Sequence, residues 1–171
     1  MSYGWAEKIA VAIKNKAPEQ TASVEVMKFA LISLFNGTTV LVACLLIGGI
    51  TGKLTETIIT MIAFAVMRFI AGGFHFESAL ACFLFSTALL SALPHIPLPD
   101  GSQIYLSVIS IVLLLIFAPS DVKGKTRIPE KYFLYLKLSS ILLVCGNIVI
   151  DSDLLLKAFF AASLLTVKLR R

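Results

Sequence analysis

Six long apolar stretches dominate this chain, and they constrain its fold more than any other feature. The stretches are residues 29–50, 54–71, 78–98, 103–118, 133–150 and 154–167. A membrane-crossing α-helix needs about 20 consecutive apolar residues, because the hydrocarbon core of a bilayer is about 30 Å thick. We therefore predict an all-α, polytopic integral membrane protein with about six transmembrane or partly re-entrant helices.

The fourth and sixth stretches are shorter than the roughly 17–25 residues that commonly cross a bilayer. Tilt, local thinning of the bilayer or re-entrance has to accommodate them, so four full spans with two half-spans is the alternative topology. Hydrophobic residues make up 58% of the 171 residues, above the roughly 45–50% that is usual in soluble domains. The sequence thus predicts a single integral membrane domain over residues 1–171, without a separate soluble catalytic domain.

Most basic residues fall at the ends of the predicted spans in a pattern that orients the chain. Twelve of the fifteen precede the first span, end the second, separate the fourth from the fifth or follow the sixth; they are Lys8, Lys14, Lys16, Lys28, Arg68, Lys123, Lys125, Arg127, Lys131, Lys168, Arg170 and Arg171. Six spans put these twelve on one side of the membrane and Lys53 on the other, while Lys137 and Lys157 lie within predicted spans. Cytoplasmic loops carry the excess of Lys and Arg. We predict a multi-pass protein of the cell membrane with both termini in the cytoplasm.

The segment before the first span has an amphipathic pattern of its own. Trp5, Ile9, Ala12 and Ile13 recur at helical spacing among polar neighbours. Such a stripe is typical of a helix that lies in the membrane interface. We predict an interfacial amphipathic segment within residues 1–27, followed by membrane helices over residues 28–171.

An arginine, a histidine and a thiol lie close together in this apolar sequence: Arg68, His75 and Cys82 follow one another at intervals of seven residues. An ionisable group inside a membrane segment is by default a candidate for function. On one continuous helix, seven residues rise about 10.5 Å, whereas proton transfer from thiol to imidazole needs an approach of roughly 3 Å. A break at Gly72-Gly73 would let His75 fold back toward Cys82, because glycine adopts backbone angles that other residues avoid.

The thiolate is the nucleophilic form of cysteine, and a neighbouring imidazole can accept the thiol proton. Cys82 and His75 are therefore a candidate nucleophile and general base, although Arg68 could instead extend to the lipid head groups. We interpret Cys44 and Cys145 as small apolar side chains. His95, among prolines, is interpreted as a surface histidine in a loop.

Other chemistries lack a pattern in this sequence. There is no HExxH, GxSxG or P-loop motif, and two His with three scattered Cys do not supply the ligands that zinc needs. We predict no metal and no cofactor. The net charge of +5 fits anionic lipid or an acidic peptide as partner, and we do not expect nucleic acid to bind.

The combination Arg68-x3-Gly72-Gly73-x-His75-x6-Cys82 resembles the signature of the accessory gene regulator protein B family. These are the membrane cysteine endopeptidases of Gram-positive quorum sensing. The likeness extends over nearly the whole chain, from the basic amphipathic N-terminus to an Ala-Pro step followed by a basic loop. In one respect the chain departs from the family pattern, because its loop over residues 123–129 is less densely basic than the lysine clusters often seen there.

The resemblance implies a function. The family takes a short precursor peptide, cuts off its C-terminal tail and cyclises the remainder into a thiolactone or lactone signalling peptide. Carried over by motif position, Cys82 is the nucleophile and His75 the general base, while Arg68, Gly72 and Gly73 shape the site.

We expect the partners to be the lipid bilayer and a precursor signalling peptide with an acidic tail. That tail is predicted to bind the amphipathic N-terminus and the loop over residues 123–131, with Lys123, Lys125 and Arg127, through screened surface charge. The sequence leaves open whether two copies form a homodimer, and which residue orients His75.

The alternative hypothesis is a non-enzymatic function. A small membrane transporter or peptide exporter could use Arg68 and His75 to line a polar path, because polar residues in spans also mark ion and substrate pathways. Such a protein should tolerate Cys82→Ser, whereas a thiol peptidase should not.

Overall fold

The computed structural model describes residues 4–74, 78–120 and 129–167, and the regular secondary structure of this part of the chain consists of helices. Its α-helices are α1 (Gly4–Lys16), α2 (Val24–Ile50), α3 (Leu54–Ala71), α4 (Ala79–Ala92), α5 (Ser102–Phe117), α6 (Phe133–Ile150) and α7 (Asp153–Leu164). Short 3₁₀ turns lie at Leu93–His95 and Glu130–Tyr132. The described ranges hold no β-strand, only an isolated parallel bridge between Gly72 and Ser120.

Helices α2 to α7 fall on the six predicted apolar stretches, so the all-α class is confirmed. By length and composition, three helical segments in the described part of the chain can cross a membrane: Val24–Ile50, Leu54–Ala71 and Glu130–Ile150. The segments Ala79–His95 and Ser102–Phe117 are also apolar but shorter. The count of six spans therefore stays a prediction, as does the single-domain organisation.

Two compact units can be distinguished within the chain. The first comprises Met1–Ala43 and Phe76–Thr87, and it contains α1. There Glu7 of α1 accepts a hydrogen bond of 2.6 Å from Lys28 of α2, and the Trp5 ring meets Phe35 edge-on at 5.3 Å. The Lys28 ammonium holds the pKa of Glu7 below its ordinary value, through this hydrogen bond and through its charge.

Helix α1 forms where the amphipathic pattern predicts a helix. Ala6 and Ala10 are buried, whereas Trp5, Ile9 and Ile13 remain about 40% exposed. The exposed apolar side chains recur at helical spacing, as the sequence pattern requires. That this face lies in a membrane interface stays a prediction.

The second unit comprises Cys44–His75 and Ala88–Arg171, and it is built from α3, α5, α6 and α7. Small residues dominate its core; the buried cluster is Ala63, Met67, Ala71, Leu114, Ala118, Val144, Ala158, Phe159 and Ala162. Helix α3 packs most extensively against α7. Small side chains let helix backbones approach closely. In lipid, helices associate through such close packing, because the hydrophobic effect does not drive apolar helices together there.

Two lysines lie within the helices of this unit, and both donate to backbone carbonyls. Lys137 of α6 donates to the Leu115 carbonyl at 2.8 Å, near the C-terminal end of α5, where carbonyls lack partners within their own helix. Lys157 of α7 is buried and donates to the Ile96 carbonyl at 3.0 Å. Each ammonium group thus gives a backbone carbonyl of this unit a hydrogen-bond donor.

Candidate functional site

The helix break that the glycine pair predicts is present at the end of α3. The helix ends at Ala71, and the next helix begins only at Ala79. Gly72 has φ of +70° and Gly73 has φ of +134°. Side chains other than hydrogen are strained at such positive φ, so these two positions require glycine for the chain to turn out of the helix.

The turn is fixed by backbone hydrogen bonds to two distant segments. The Gly73 amide donates to the Ser120 carbonyl at 3.0 Å, and the Ser120 amide donates to the Ala71 carbonyl at 2.9 Å. The Phe74 amide donates to the Leu165 carbonyl at 2.8 Å. The segment after α5 and the end of α7 therefore both bind the loop that follows α3.

Arg68, one turn before the end of α3, folds its side chain over the same loop. Its Nη1 donates to the Gly72 carbonyl at 3.2 Å and its Nη2 to the Phe74 carbonyl at 2.7 Å. A planar guanidinium suits such a two-point contact because its donors have fixed directions. A Cβ added to Gly73 would collide with Nη1 of Arg68 and lie 2.9 Å from the Leu165 carbonyl oxygen. Arg68 and Gly73 thus fit together as a pair.

Cys82 lies in the first turn of α4 and belongs to the first unit. Ser78 caps this helix: its carbonyl accepts the Cys82 amide at 2.9 Å, and its Oγ accepts the Ala81 amide at 3.4 Å. The Cys82 side chain is half-buried, with Sγ 4.0 Å from Oγ of Ser86. The helix thus begins just before the candidate nucleophile and leaves its sulfur partly accessible.

The remaining predicted site residues lie outside the described residues: His75, Lys123, Lys125 and Arg127. The structure brings the side chain of Arg68, which lies in α3, together with the loop at Gly72 and Gly73. The pairing of Cys82 with His75 and the binding of a peptide tail stay predictions.

Two residues that bind this loop, Ser120 and Leu165, have no signature in the sequence. Ser120 follows the Ala-Pro step that forms part of the family likeness, but that step gives no indication that its neighbour binds the glycine loop. Leu165 takes part through its backbone carbonyl, and a backbone contact leaves no signature in the side-chain pattern. Only the three-dimensional arrangement identifies either residue.

The other chemically active groups are placed in ordinary surroundings. Cys44 is buried, with the Ser91 hydroxyl 3.7 Å from its sulfur, and Cys145 is half-buried. His95 is exposed, and its Nδ1 lies 3.0 Å from the Ser91 carbonyl. Among the residues that the structure describes, no group of three or more His, Cys, Asp or Glu side chains could hold a metal ion.

Comparison with known proteins identifies a family and one curated relative. The model of the family described as accessory gene regulator B matches residues 6–168. A protein of Halalkalibacterium halodurans described as AgrB-like is 27% identical over 93 residues, which cover 54% of this chain and 47% of that protein. The match thus spans about half the length of that relative. No solved structure matches the chain.

Proposed function

The chain belongs to the accessory gene regulator B family, and we propose from this premise that it is a membrane cysteine endopeptidase and cyclase. Membership implies a general role in processing an autoinducing peptide of quorum sensing. We propose that the protein cuts the C-terminal tail from a short precursor and closes the remainder into a ring through a thioester on Cys82.

The observation that carries this proposal is the turn that follows α3 at Gly72-Gly73. Arg68 and the two glycines fix the backbone up to Phe74, the residue immediately before the proposed base His75. The proposed nucleophile Cys82 lies in the first turn of the helix that ends the connection. Negative charge is favoured within the first turn of a helix, which suits a sulfur that must attack as thiolate.

The reaction divides into two acyl transfers. His75 accepts the Cys82 proton, the sulfur attacks the scissile carbonyl, and the imidazolium returns the proton to the departing amine of the tail. The precursor then remains attached to Cys82 as a thioester. A thiol or hydroxyl within the peptide attacks that thioester, forms the ring and releases Cys82 as a thiol. An apolar surrounding limits competing water, and a bound nucleophile has a high effective concentration.

Mass spectrometry on the purified protein in lipid tests this scheme. With its cognate precursor, we expect a covalent adduct on Cys82 that lacks the tail, followed by a ring lighter than the linear fragment by one water. Tail release that yields only linear product would reject the cyclisation step. The identity of the ring-closing residue follows from whether the product is a thiolactone or a lactone.

We further propose a multi-pass topology in which both termini and the basic residues 123–131 face the cytoplasm, where the precursor is made. The positive-inside rule supports this orientation. At the start of α6, the Lys131 ammonium lies 5.1 Å from the centre of the Tyr132 ring. Tyrosine is enriched at the membrane–water interface, so this pair fits the position at which α6 would enter the bilayer.

Lys123, Lys125 and Arg127 are proposed to bind an acidic precursor tail. Replacing all three by glutamate should raise the KM for the precursor by about tenfold or more at low salt, because like charges then face each other. The wild-type KM should also rise with ionic strength, since exposed charges are screened over about 8 Å at physiological salt. Replacing Lys168, Arg170 and Arg171 by glutamate is the matched control, because it changes the net charge by the same amount. Unchanged processing by the triple variant would refute the assignment.

The transporter alternative requires Arg68 to line a polar path. The contacts of its guanidinium with the Gly72 and Phe74 carbonyls instead direct its charge onto its own loop. This observation favours the peptidase.

A further inference from the structure

The loop over residues 71–74 has nearly all its backbone polar groups bonded, and several partners come from far along the chain. Ser120 accepts the Gly73 amide and donates to the Ala71 carbonyl. The Leu165 carbonyl accepts the Phe74 amide. Arg68 donates to the Gly72 and Phe74 carbonyls.

Two of these groups are carbonyls at helix ends. Ala71 is the last residue of α3, and Leu165 caps the C-terminus of α7. The last four carbonyls of a helix have no partner within that helix. Here the unused carbonyls of two helices accept hydrogen bonds from Ser120 and Phe74, so α3 and α7 are joined through the loop between them.

The surroundings make these bonds costly to break. Gly73 and Ser120 are buried, and Ser120 is only 8% exposed. Buried backbone groups have no water at hand that could replace a lost partner. A buried backbone group left without its partner destabilises the fold by the full free energy that its desolvation costs.

We propose that Ser120 and Leu165 are positioning residues for the proposed base: their backbone groups fix Gly73 and Phe74, and so set where the chain delivers residue 75. This inference rests on the proposed function. It assigns a role in catalysis to the segment after α5 and to the end of α7, neither of which touches the reacting atoms.

Ser120→Pro tests the first contact, because proline has no amide hydrogen to donate to the Ala71 carbonyl. Ser120→Ala is the matched control, since it keeps that amide. With the full-length protein in lipid, we expect Ser120→Pro to slow Cys82 acylation by about tenfold or more at neutral pH. Ser120→Ala should acylate much faster than Ser120→Pro, and both variants should keep the wild-type KM for the precursor.

The Leu165 contact is tested by an ester in the backbone. Incorporating 3-phenyllactic acid in place of Phe74 removes the donor to the Leu165 carbonyl and leaves the side chain unchanged. This change is small enough for folding to survive if Ser120→Pro disrupts it. The same change at Phe29 is the control, because that side chain is 69% exposed and its amide lies within regular α2, away from the loop. We expect a fall of about tenfold at position 74 and a smaller effect at position 29.

The pH profile separates positioning from general loss of structure. If the base is misplaced, acylation should recover as the pH rises, because thiols then ionise without a base. Ser120→Pro should also add nothing to His75→Ala, since both remove the same assistance and their effects would not be additive.

Each outcome has one meaning. A wild-type rate in both Ser120→Pro and the ester at 74 would overturn the inference, as would a loss that alkaline pH fails to restore and that adds fully to His75→Ala. If His75→Ala itself acylates at the wild-type rate, the proposed base is wrong and the failure lies in the proposed function. Slow acylation with alkaline recovery, confined to Ser120→Pro and the ester at 74, supports the positioning role.

Discussion

Replacement of Cys82 by alanine is expected to abolish tail release from the precursor, with a loss of more than about 10³-fold. Loss of a nucleophile removes the covalent path altogether and leaves only what binding and electrostatics contribute. The measurement is the amount of released tail and of adduct, both by mass spectrometry. His75→Ala should suppress the adduct as well, because an unassisted thiol is mostly protonated at neutral pH.

The other two cysteines supply the controls. Cys145→Ala and Cys44→Ala remove thiols that lie on α6 and α2, and both variants should release the tail at close to the wild-type rate. Tail release by Cys82→Ala would reject the nucleophile. Full activity of Cys82→Ser would favour the transporter alternative, since a pathway protein has no need for the sulfur.

The second large effect is expected for Gly73→Ala. A methyl group there would collide with Nη1 of Arg68, and an L-residue at φ of +134° is itself strained, by about 1–3 kcal/mol. The guanidinium could move aside only by giving up its bonds to the Gly72 and Phe74 carbonyls. We expect processing to fall by about 100-fold, measured as the rate of tail release in lipid.

Gly52→Ala is the matched control, because Gly52 also has positive φ, at +69°, but a Cβ there would meet no atom within 4 Å. It tests a positive φ without the collision, at a smaller backbone cost, because L-residues adopt φ near +69° more readily than φ of +134°. Arg68→Ala should slow processing as Gly73→Ala does, and the double variant should be little worse than either, since both act on one contact. Independent, additive losses would show that Arg68 and Gly73 do not work as a pair.

The helices could be predicted from the sequence because apolar stretches, and the Gly, Pro and polar residues between them, determine where helices begin and end in lipid. The stretch 54–71 coincides with α3, and the stretch 133–150 with α6. Gly72-Gly73 marks the break after α3 because the residue type itself reports the backbone angles required. These are local properties, and a single sequence carries them.

The partners of the site could not be predicted in the same way. Ser120 and Leu165 bind the loop through peptide groups, which every residue possesses, so their side chains give no sign of the contact. The sequence predicts that Arg68 shapes the site or extends to lipid head groups. Its two hydrogen bonds to the Gly72 and Phe74 carbonyls depend on a loop conformation that spacing alone does not define. Lysine side chains in membrane helices commonly extend to the membrane surface, yet Lys157 is buried.

The bonds around Gly73 also impose an order on biogenesis. A ribosome makes Phe74 and Cys82 first, Ser120 later, and Leu165 only after all of α7. Until then the Phe74 amide lacks the acceptor that it has in the finished protein. A nascent chain that already carries both the histidine and the cysteine therefore still lacks the support of its loop, and this junction is completed only when the end of α7 arrives.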